Sequence, residues 1–260
     1  MLYELTPPDL HCKAKGYLFG TIHLYHPSFD TWLQYATTFL EQCAVYCPEM
    51  DISLMGENGI CQFNSSNASP IKINARQQSF FHKHFGVDLN TMTHLPLEAL
   101  FGVVFGTLTA GIITNGSIDQ YLYETAVKKG IQIKGLESLE TQMKIMDKIK
   151  DSSFRKQLEK MIKSPLKVNA LIKQMLEYYS TGAIYRLYKT GKKQSAKDKR
   201  LLIYDRNRTM TQALVESFNQ NPDSNIFAAV GCGHIPGEMG MLRYLKKANF
   251  KVKPIKLPGT

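Results

Sequence analysis

The chain has 260 residues, of which 43% are hydrophobic and 21% charged. This composition is typical of a globular protein and excludes a disordered or fibrous one. The five cysteines are odd in number and irregularly spaced, which favours neither a disulfide framework nor a cysteine-rich zinc module. The formal net charge is +10, but the lysines are scattered and no nucleic-acid-binding motif accompanies them. We therefore expect no nucleic-acid partner.

The sequence favours neither a membrane span nor a signal peptide. Residues Ala99 to Thr114 carry no charge, and Gly102 and Gly106 within them resemble a membrane-helix packing motif. The run is shorter than the roughly 18 apolar residues that suggest a span, so it predicts a buried helix. The first residues lack the basic and apolar regions of a signal peptide. A secreted or periplasmic location would require a leader that has been removed.

Short apolar runs predict strands, and ionisable residues follow them. Leu2 to Leu5 and Gly16 to Phe19 predict a hairpin, and the element Gly-Thr-Ile-His follows directly and ends at His23. Ala44 to Cys47 predict the next strand, which is followed after a proline by Glu49. Each of these runs therefore brings a polar side chain to the end of a strand.

The same pattern returns in the second half of the chain. Ile131 to Lys134 alternate as a strand, and Glu137 follows them. Ile226 to Val230 form an apolar run that is followed by Gly-Cys-Gly-His, which ends at His234. Residues 250 to 255 predict a final strand. The chain thus has two strands that are each followed by Gly-x-x-His.

Apolar residues at helical spacing predict helices between these strands. Ser117 and Gln120 form a capping-box pattern at the start of one of them. The predicted helices cover residues 32–42, 118–129, most of 139–190, 198–219 and 236–248. We therefore predict an α/β protein with a central mixed sheet, helical layers and a helical cap. It forms a single domain, residues 1–260, with helical elaborations at about 52–115 and 139–200.

His23, Glu49, Glu137 and His234 each follow a predicted strand. In open α/β sheets ligands bind just outside the carboxyl ends of the strands, so parallel strands would bring these four side chains together. Two imidazoles and two carboxylates suit a divalent cation such as Mn²⁺, Co²⁺, Fe²⁺ or Zn²⁺. A carboxylate outside the metal shell would serve as a general base for a metal-activated water.

Four further polar residues are candidates for the same site. Asn207 falls within the apolar stripe of the helix predicted at 198–219, where leaving its amide unpaired would cost about 1–3 kcal/mol. Arg206 is adjacent and is a candidate to stabilise an oxyanion. The alternative is that Arg206 and Asn207 have a structural role and hydrogen-bond to neighbouring loops. His26 and Asp51 follow the predicted strand ends closely and are candidates for substrate binding, with an ordinary loop position as the alternative.

Six segments of the chain occur in the order and spacing of a known family. They are Leu18 to His23, Glu49 to Asp51, Ile118 to Leu122, Gly135 to Ser138, Asp205 to Arg208 and Val230 to Gly237. This pattern resembles the TraB/PrgY/GumN family, whose animal relatives are the Tiki proteins. The resemblance implies a metal-dependent peptidase fold with two related halves. The Tiki proteins are described as membrane-tethered proteases that use Mn²⁺ or Co²⁺.

The resemblance also implies roles for individual residues. His23, Glu49 and His234 would hold the metal, and Glu137 would be the catalytic carboxylate. The polar helix residues that face them, and that act in catalysis, would be Arg206 and Asn207. The family usually has an aliphatic residue at the position of Pro48, and this chain departs from it there.

The function expected from these residues is metal-dependent hydrolysis of peptides or exposed protein segments. Mn²⁺ or Co²⁺ is favoured as the metal, and Zn²⁺ or Fe²⁺ is the alternative. A second hypothesis is a non-catalytic protein that sequesters a peptide signal or haem in the same cleft. A third is hydrolysis of a non-peptide ester. The sequence does not determine the oligomeric state.

Overall fold

The structure is a computed structural model that describes residues 1–9, 11–55, 71–114, 116–148, 151–190 and 200–258. By its contacts the chain divides into two compact units. Unit 1 comprises Met1–Ile60, Thr114–Ile145 and Leu176–Thr260, and unit 2 comprises Cys61–Ile113 and Met146–Met175. Residues 56–70 and 191–199, which belong to the predicted elaborations, lie outside the described residues. A single domain over the whole chain stays a prediction.

Unit 1 contains a mixed sheet of six strands in the order β4-β3-β5-β2-β1-β6. The strands are β1 (Leu2–Thr6), β2 (Gly16–Thr21), β3 (Val45–Pro48), β4 (Gln132–Ile133), β5 (Ile226–Gly231) and β6 (Lys251–Ile255). Strands β4, β3, β5 and β2 pair in parallel, whereas β1 pairs antiparallel with both β2 and β6. The predicted α/β class with a mixed sheet is confirmed, and the predicted hairpin is the β1–β2 pair.

Strands β2 and β5 lie at the centre of the sheet, and both are mostly apolar. Every residue of both strands is buried, as is typical of parallel strands covered on both faces. The ring of Phe227 lies 6.4 Å from the ring of Phe19 and 6.2 Å from that of Tyr46, measured between centroids. These contacts join β5 to its two neighbours and fix the position of the strand ends.

The helices of the described residues follow the predicted order. They are α1 (Asp30–Leu40), α2 (Ala75–Phe85), α3 (Leu97–Thr109), α4 (Ile118–Lys128), α5 (Leu139–Lys148), α6 (Asp151–Lys163), α7 (Pro165–Ser180), α8 (Ile184–Thr190), α9 (Asp205–Gln220) and α10 (Met241–Lys247). Ser117 caps α4 by accepting the N–H of Gln120, but the Gln120 side chain donates to Glu124 instead of completing the predicted capping box.

The helix predicted at 236–248 begins later, at Met241. Gly237 has a φ of +99°, which lies in the left-handed region that breaks a helix. The backbone at Gly240 approaches the carbonyl oxygens of Ile235 and Pro236 so closely that a side chain would not fit. The prediction was wrong for residues 236–240, because they form a tight turn and the helix begins only after them.

Unit 2 is helical, and its core contains α2, α3 and α6. Leu100, Val104 and Leu108 recur at every fourth position of α3 and are buried with Phe81 and Leu158. The uncharged run therefore includes a helix with one buried face, as predicted. None of the described helices combines the length and the apolar character that crossing a membrane requires.

Candidate functional site

The four predicted strand-end residues meet at one edge of the sheet in unit 1. Strands β2, β3 and β5 run in the same direction and deliver His23, Glu49 and His234 beyond their carboxyl ends. Glu137 follows β4, and its N–H donates to the carbonyl oxygen of Glu49 at 2.9 Å. Pro48 belongs to β3 and its carbonyl accepts the Leu136 N–H at 2.9 Å, so the proline leaves the placement of Glu49 intact.

Gly231, the last residue of β5, makes room for this convergence. A Cβ atom at this position would lie 3.2 Å from Nε2 of His23, 3.4 Å from Oε2 of Glu49 and 3.4 Å from Cδ2 of His234. The Gly231 N–H also donates to Oε2 of Glu49 at 2.9 Å. A side chain at position 231 would therefore contact all three groups, most tightly the His23 ring.

Arg206 lies between the two glutamates. Its Nε donates to Oε1 and Oε2 of Glu137 at 3.1 and 2.9 Å, and its Nη2 donates to Oε2 of Glu137 at 2.6 Å and to Oε1 of Glu49. The side chains of Arg206, Glu49 and Glu137 are only 12%, 10% and 1% exposed. Such a buried cluster is held by attraction and hydrogen bonds together, and it loses several kcal/mol when one partner is removed.

A short π-helical segment, Arg200–Tyr204, lies directly before the helix that carries Arg206. Segments of this kind occur frequently at functional sites because they alter the normal helical hydrogen bonding. Here the carbonyl oxygen of Leu202 accepts a hydrogen bond from Nη1 of Arg206 at 3.2 Å. The guanidinium is therefore held on one side by backbone and on the other by two carboxylates.

Asn207 orients His234 from the buried face of α9. Its Nδ2 donates to the carbonyl of Met239 at 2.5 Å, which turns its Oδ1 toward Nδ1 of His234 at 2.7 Å. An amide oxygen only accepts, so Nδ1 of His234 carries the proton and Nε2 carries a lone pair. Burial lowers the pKa of His234 to about 4, so the ring is neutral at pH 7.

The lone pair of His234 faces another acceptor. Its Nε2 lies 3.8 Å from Oε2 of Glu49. Burial would raise the pKa of Glu49, but His234, Arg206, His23 and the Gly231 N–H outweigh it and lower the pKa to about 2. At neutral pH a neutral imidazole and an ionised carboxylate thus lie 3.8 Å apart at these two atoms.

Asp119, which the sequence reasoning did not assign to the site, contacts His23. It lies in the first turn of α4, where its Oδ1 accepts from the Thr21 hydroxyl at 2.7 Å and its Oδ2 lies 3.2 Å from Nδ1 of His23. This hydrogen bond raises the pKa of His23 to about 9. The His23 side chain is 65% exposed, so it is the solvent-accessible member of the centre. The signal available was the segment Ile118 to Leu122, which belongs to the six family-like segments.

His26 and Asp51 form local hydrogen bonds instead of joining this centre. Nδ1 of His26 accepts the N–H of Ser28 at 3.2 Å and caps the short helix Pro27–Phe29. Asp51 accepts from the N–H and hydroxyl of Ser53 at 3.0 and 2.7 Å. The described contacts of both side chains are those of loop residues, and their role in substrate binding stays a prediction.

The imidazole nitrogens of His23 and His234 and the carboxylate oxygens of Glu49 are atom types that bind divalent cations. Within the described part of the chain, no group of three or more His, Cys, Asp or Glu side chains is arranged to hold a metal ion. However, each imidazole is hydrogen-bonded at Nδ1, by Asp119 or Asn207, as metal-binding histidines commonly are. Nε2 of His234 and Oε2 of Glu49 are both acceptors 3.8 Å apart, although Glu49 is already bonded by Arg206 and the Gly231 N–H. A cation held by these residues and His23 would be attracted to both acceptors.

The fold and this centre define an α/β protein with a buried polar site at the carboxyl edge of parallel strands. The chain belongs to the TraB/PrgY/gumN family, whose sequence model matches residues 10–254. Neither a curated protein nor a solved structure matched the chain. The family resemblance drawn from the six segments is confirmed by this match.

Proposed function

We propose that the protein is a metal-dependent peptidase that hydrolyses peptides or exposed segments of proteins. The observation that supports this most is the 3.8 Å approach of Nε2 of His234 to Oε2 of Glu49. Asn207 and the Gly231 N–H hold these two acceptors in place. A cation between two acceptors fixed in this way would be attracted to both of them.

The residues that would hold the metal are His23, Glu49 and His234. Mn²⁺ or Co²⁺ is proposed because of the resemblance to the Tiki proteins, and nitrogen and oxygen donors are also compatible with Zn²⁺ or Fe²⁺. When bound, such a metal would lower the pKa of a coordinated water from 15.7 to about 7.

Glu137 is proposed as the general base. Its Oε2 accepts two hydrogen bonds from Arg206 and lies 3.4 Å from Nε2 of Gln142, whereas its Oε1 accepts one bond from Arg206 at 3.1 Å. Oε1 is therefore the oxygen on which we place the proton. Arg206 forms an ion pair with this carboxylate and would supply N–H donors to a developing oxyanion. Asn207 acts as a positioning residue that holds His234.

A second function is supported by the same arginine. Because Arg206 donates to both oxygens of Glu137, this carboxylate is engaged in an ion pair, and that favours capture of a ligand without turnover. The ligand in this case would be a peptide signal or haem. This alternative uses the same cleft and differs only in the absence of hydrolysis.

Hydrolysis of a quenched-fluorescent peptide library distinguishes the two functions. The protein is first stripped of metal, and Mn²⁺, Co²⁺ or Zn²⁺ is then added back. We expect metal-dependent cleavage by the wild type and by His82→Ala, a control at an exposed histidine of unit 2. His234→Ala should lose it. Metal and peptide binding without cleavage by the wild type would contradict the peptidase proposal and support sequestration.

A further inference from the structure

A pocket opens beside the candidate centre, entirely within unit 1. It has a volume of about 270 Å³. One end is formed by His23, Glu49 and Asp119, and the remaining wall is mostly apolar. The other lining residues are Pro48, Met50, Ile52 and Tyr123, together with the polar Gln142. Two of the proposed metal ligands, His23 and Glu49, thus form part of the pocket lining, and the rest of the lining is mostly apolar.

The two carboxylates at the polar end are already hydrogen-bonded. Glu49 accepts from Arg206 and from the Gly231 N–H. Asp119 accepts from Thr21 and lies within hydrogen-bonding distance of His23. A basic side chain entering the pocket would have to compete with these partners, and an acidic one would meet two negative charges. The pocket is therefore suited to a neutral side chain.

The size of the pocket limits its occupant further. Sites for whole drug-sized ligands usually measure about 300–1,000 Å³, and this pocket is slightly smaller than that range. It accommodates one side chain. Displacement of water from the apolar wall by an aliphatic group would make the free energy of binding more favourable.

We propose that this pocket binds a single aliphatic side chain of leucine or methionine size from a peptide that lies across the centre. The proposal rests on the proposed function for the identity of the ligand as a peptide, but binding itself requires no hydrolysis. It assigns Tyr123 as a specificity-determining residue, because Tyr123 lines the pocket from α4.

Equilibrium binding of short peptides tests the proposal directly. Fluorescently labelled peptides of the form Ala-X-Ala-amide, with X as Leu, Met, Gly, Lys or Glu, are titrated with the metal-free protein and followed by polarisation. Burial of a leucine or methionine side chain predicts binding about tenfold to a hundredfold tighter than for glycine. Lys and Glu should show no such gain.

Variants on one helix separate the pocket from the rest of the surface. Tyr123→Ala should remove most of the preference for Leu over Gly. Tyr121→Ala should keep it, because Tyr121 is two residues earlier on α4, is 45% exposed and does not line the pocket. Far-UV circular dichroism checks that both variants fold.

Two results would overturn the proposal. One is equal affinity of the wild type for all five peptides, and the other is an unchanged preference in Tyr123→Ala. Hydrolysis of the same peptides, measured with metal added, distinguishes a failure of the peptidase proposal from a failure of the pocket proposal. Selective binding without hydrolysis would refute the peptidase and leave the pocket standing. Hydrolysis without side-chain preference would refute the pocket alone.

Discussion

The side-chain oxygen of Asn207 lies 2.7 Å from Nδ1 of His234, and both residues are buried. This single contact fixes which ring nitrogen carries the proton and directs the other nitrogen at Glu49. The chemistry proposed for the site depends on this orientation, so it is the first relationship to test.

Asn207→Ala should lower the free energy of unfolding by about 1–3 kcal/mol, because the Nδ1–H of His234 and the carbonyl of Met239 lose their partner. It should also weaken metal binding by about tenfold to a hundredfold. Urea unfolding and metal titration measure the two effects. Asn219→Ala is the matched control, since Asn219 is exposed on the same helix. Equal effects of both substitutions would contradict the assigned role.

Stability should fall as the pH is lowered from about 6.5 to about 4. Burial lowers the pKa of His234 from 6.5 to about 4, so the unfolded state binds more protons than the folded state between these values. The stability contributed by the neutral ring is fully present above pH 6.5 and is lost as the pH falls through 4, a change of about 3 kcal/mol.

Urea unfolding of the metal-free protein across this range measures the change. His234→Gln has no titrating ring at this position, and its stability should depend less steeply on pH over the same interval. If the unfolding free energies of wild type and variant had the same dependence on pH, His234 would not be the group that causes the change.

Arg206→Met should destabilise the protein by about 3–5 kcal/mol at pH 7, because it leaves the buried carboxylates of Glu49 and Glu137 without a counter-ion. Adding Glu49→Gln and Glu137→Gln to the same variant should restore part of this loss. Arg208→Met, at an exposed position of α9, should have little effect. Chemical unfolding measures all three proteins. A small loss for Arg206→Met would show that the cluster contributes little.

Asp119→Asn should lower the pKa of His23 from about 9 toward its ordinary value of 6.5, because the hydrogen bond to the carboxylate is the largest cause of the raised pKa. An NMR titration of the His23 ring measures this shift. Asp223→Asn, an exposed loop substitution, is the control. A His23 pKa that stays near 9 in Asp119→Asn would mean that another group raises it.

The sequence predicted the strand ends well because their pattern is local. Buried parallel strands need apolar runs, and the residues that follow them must lie at one edge of the sheet. His23, Glu49, Glu137 and His234 were located in this way. The buried amide of Asn207 has the partners that its position in the apolar stripe requires, because it contacts His234 and Met239.

The remaining contacts depend on tertiary structure and have no local signal. Arg206 was expected to face the site, but its position between two glutamates depends on ion pairs with residues 69 and 157 positions away in sequence. Asp119 is in the first turn of a helix, where a carboxylate is ordinary because it interacts with the helix dipole. Its contact with His23 joins residues 96 positions apart in sequence.

The central claim is that His23, Glu49 and His234 form a metal centre, and calorimetric titration of Co²⁺ or Mn²⁺ into the metal-stripped protein tests it most directly. We expect saturable binding of one ion per chain by the wild type and by His82→Ala. Both His23→Ala and His234→Ala should lose it while remaining folded by circular dichroism. No binding by the wild type, or undiminished binding by both variants, would contradict the claim.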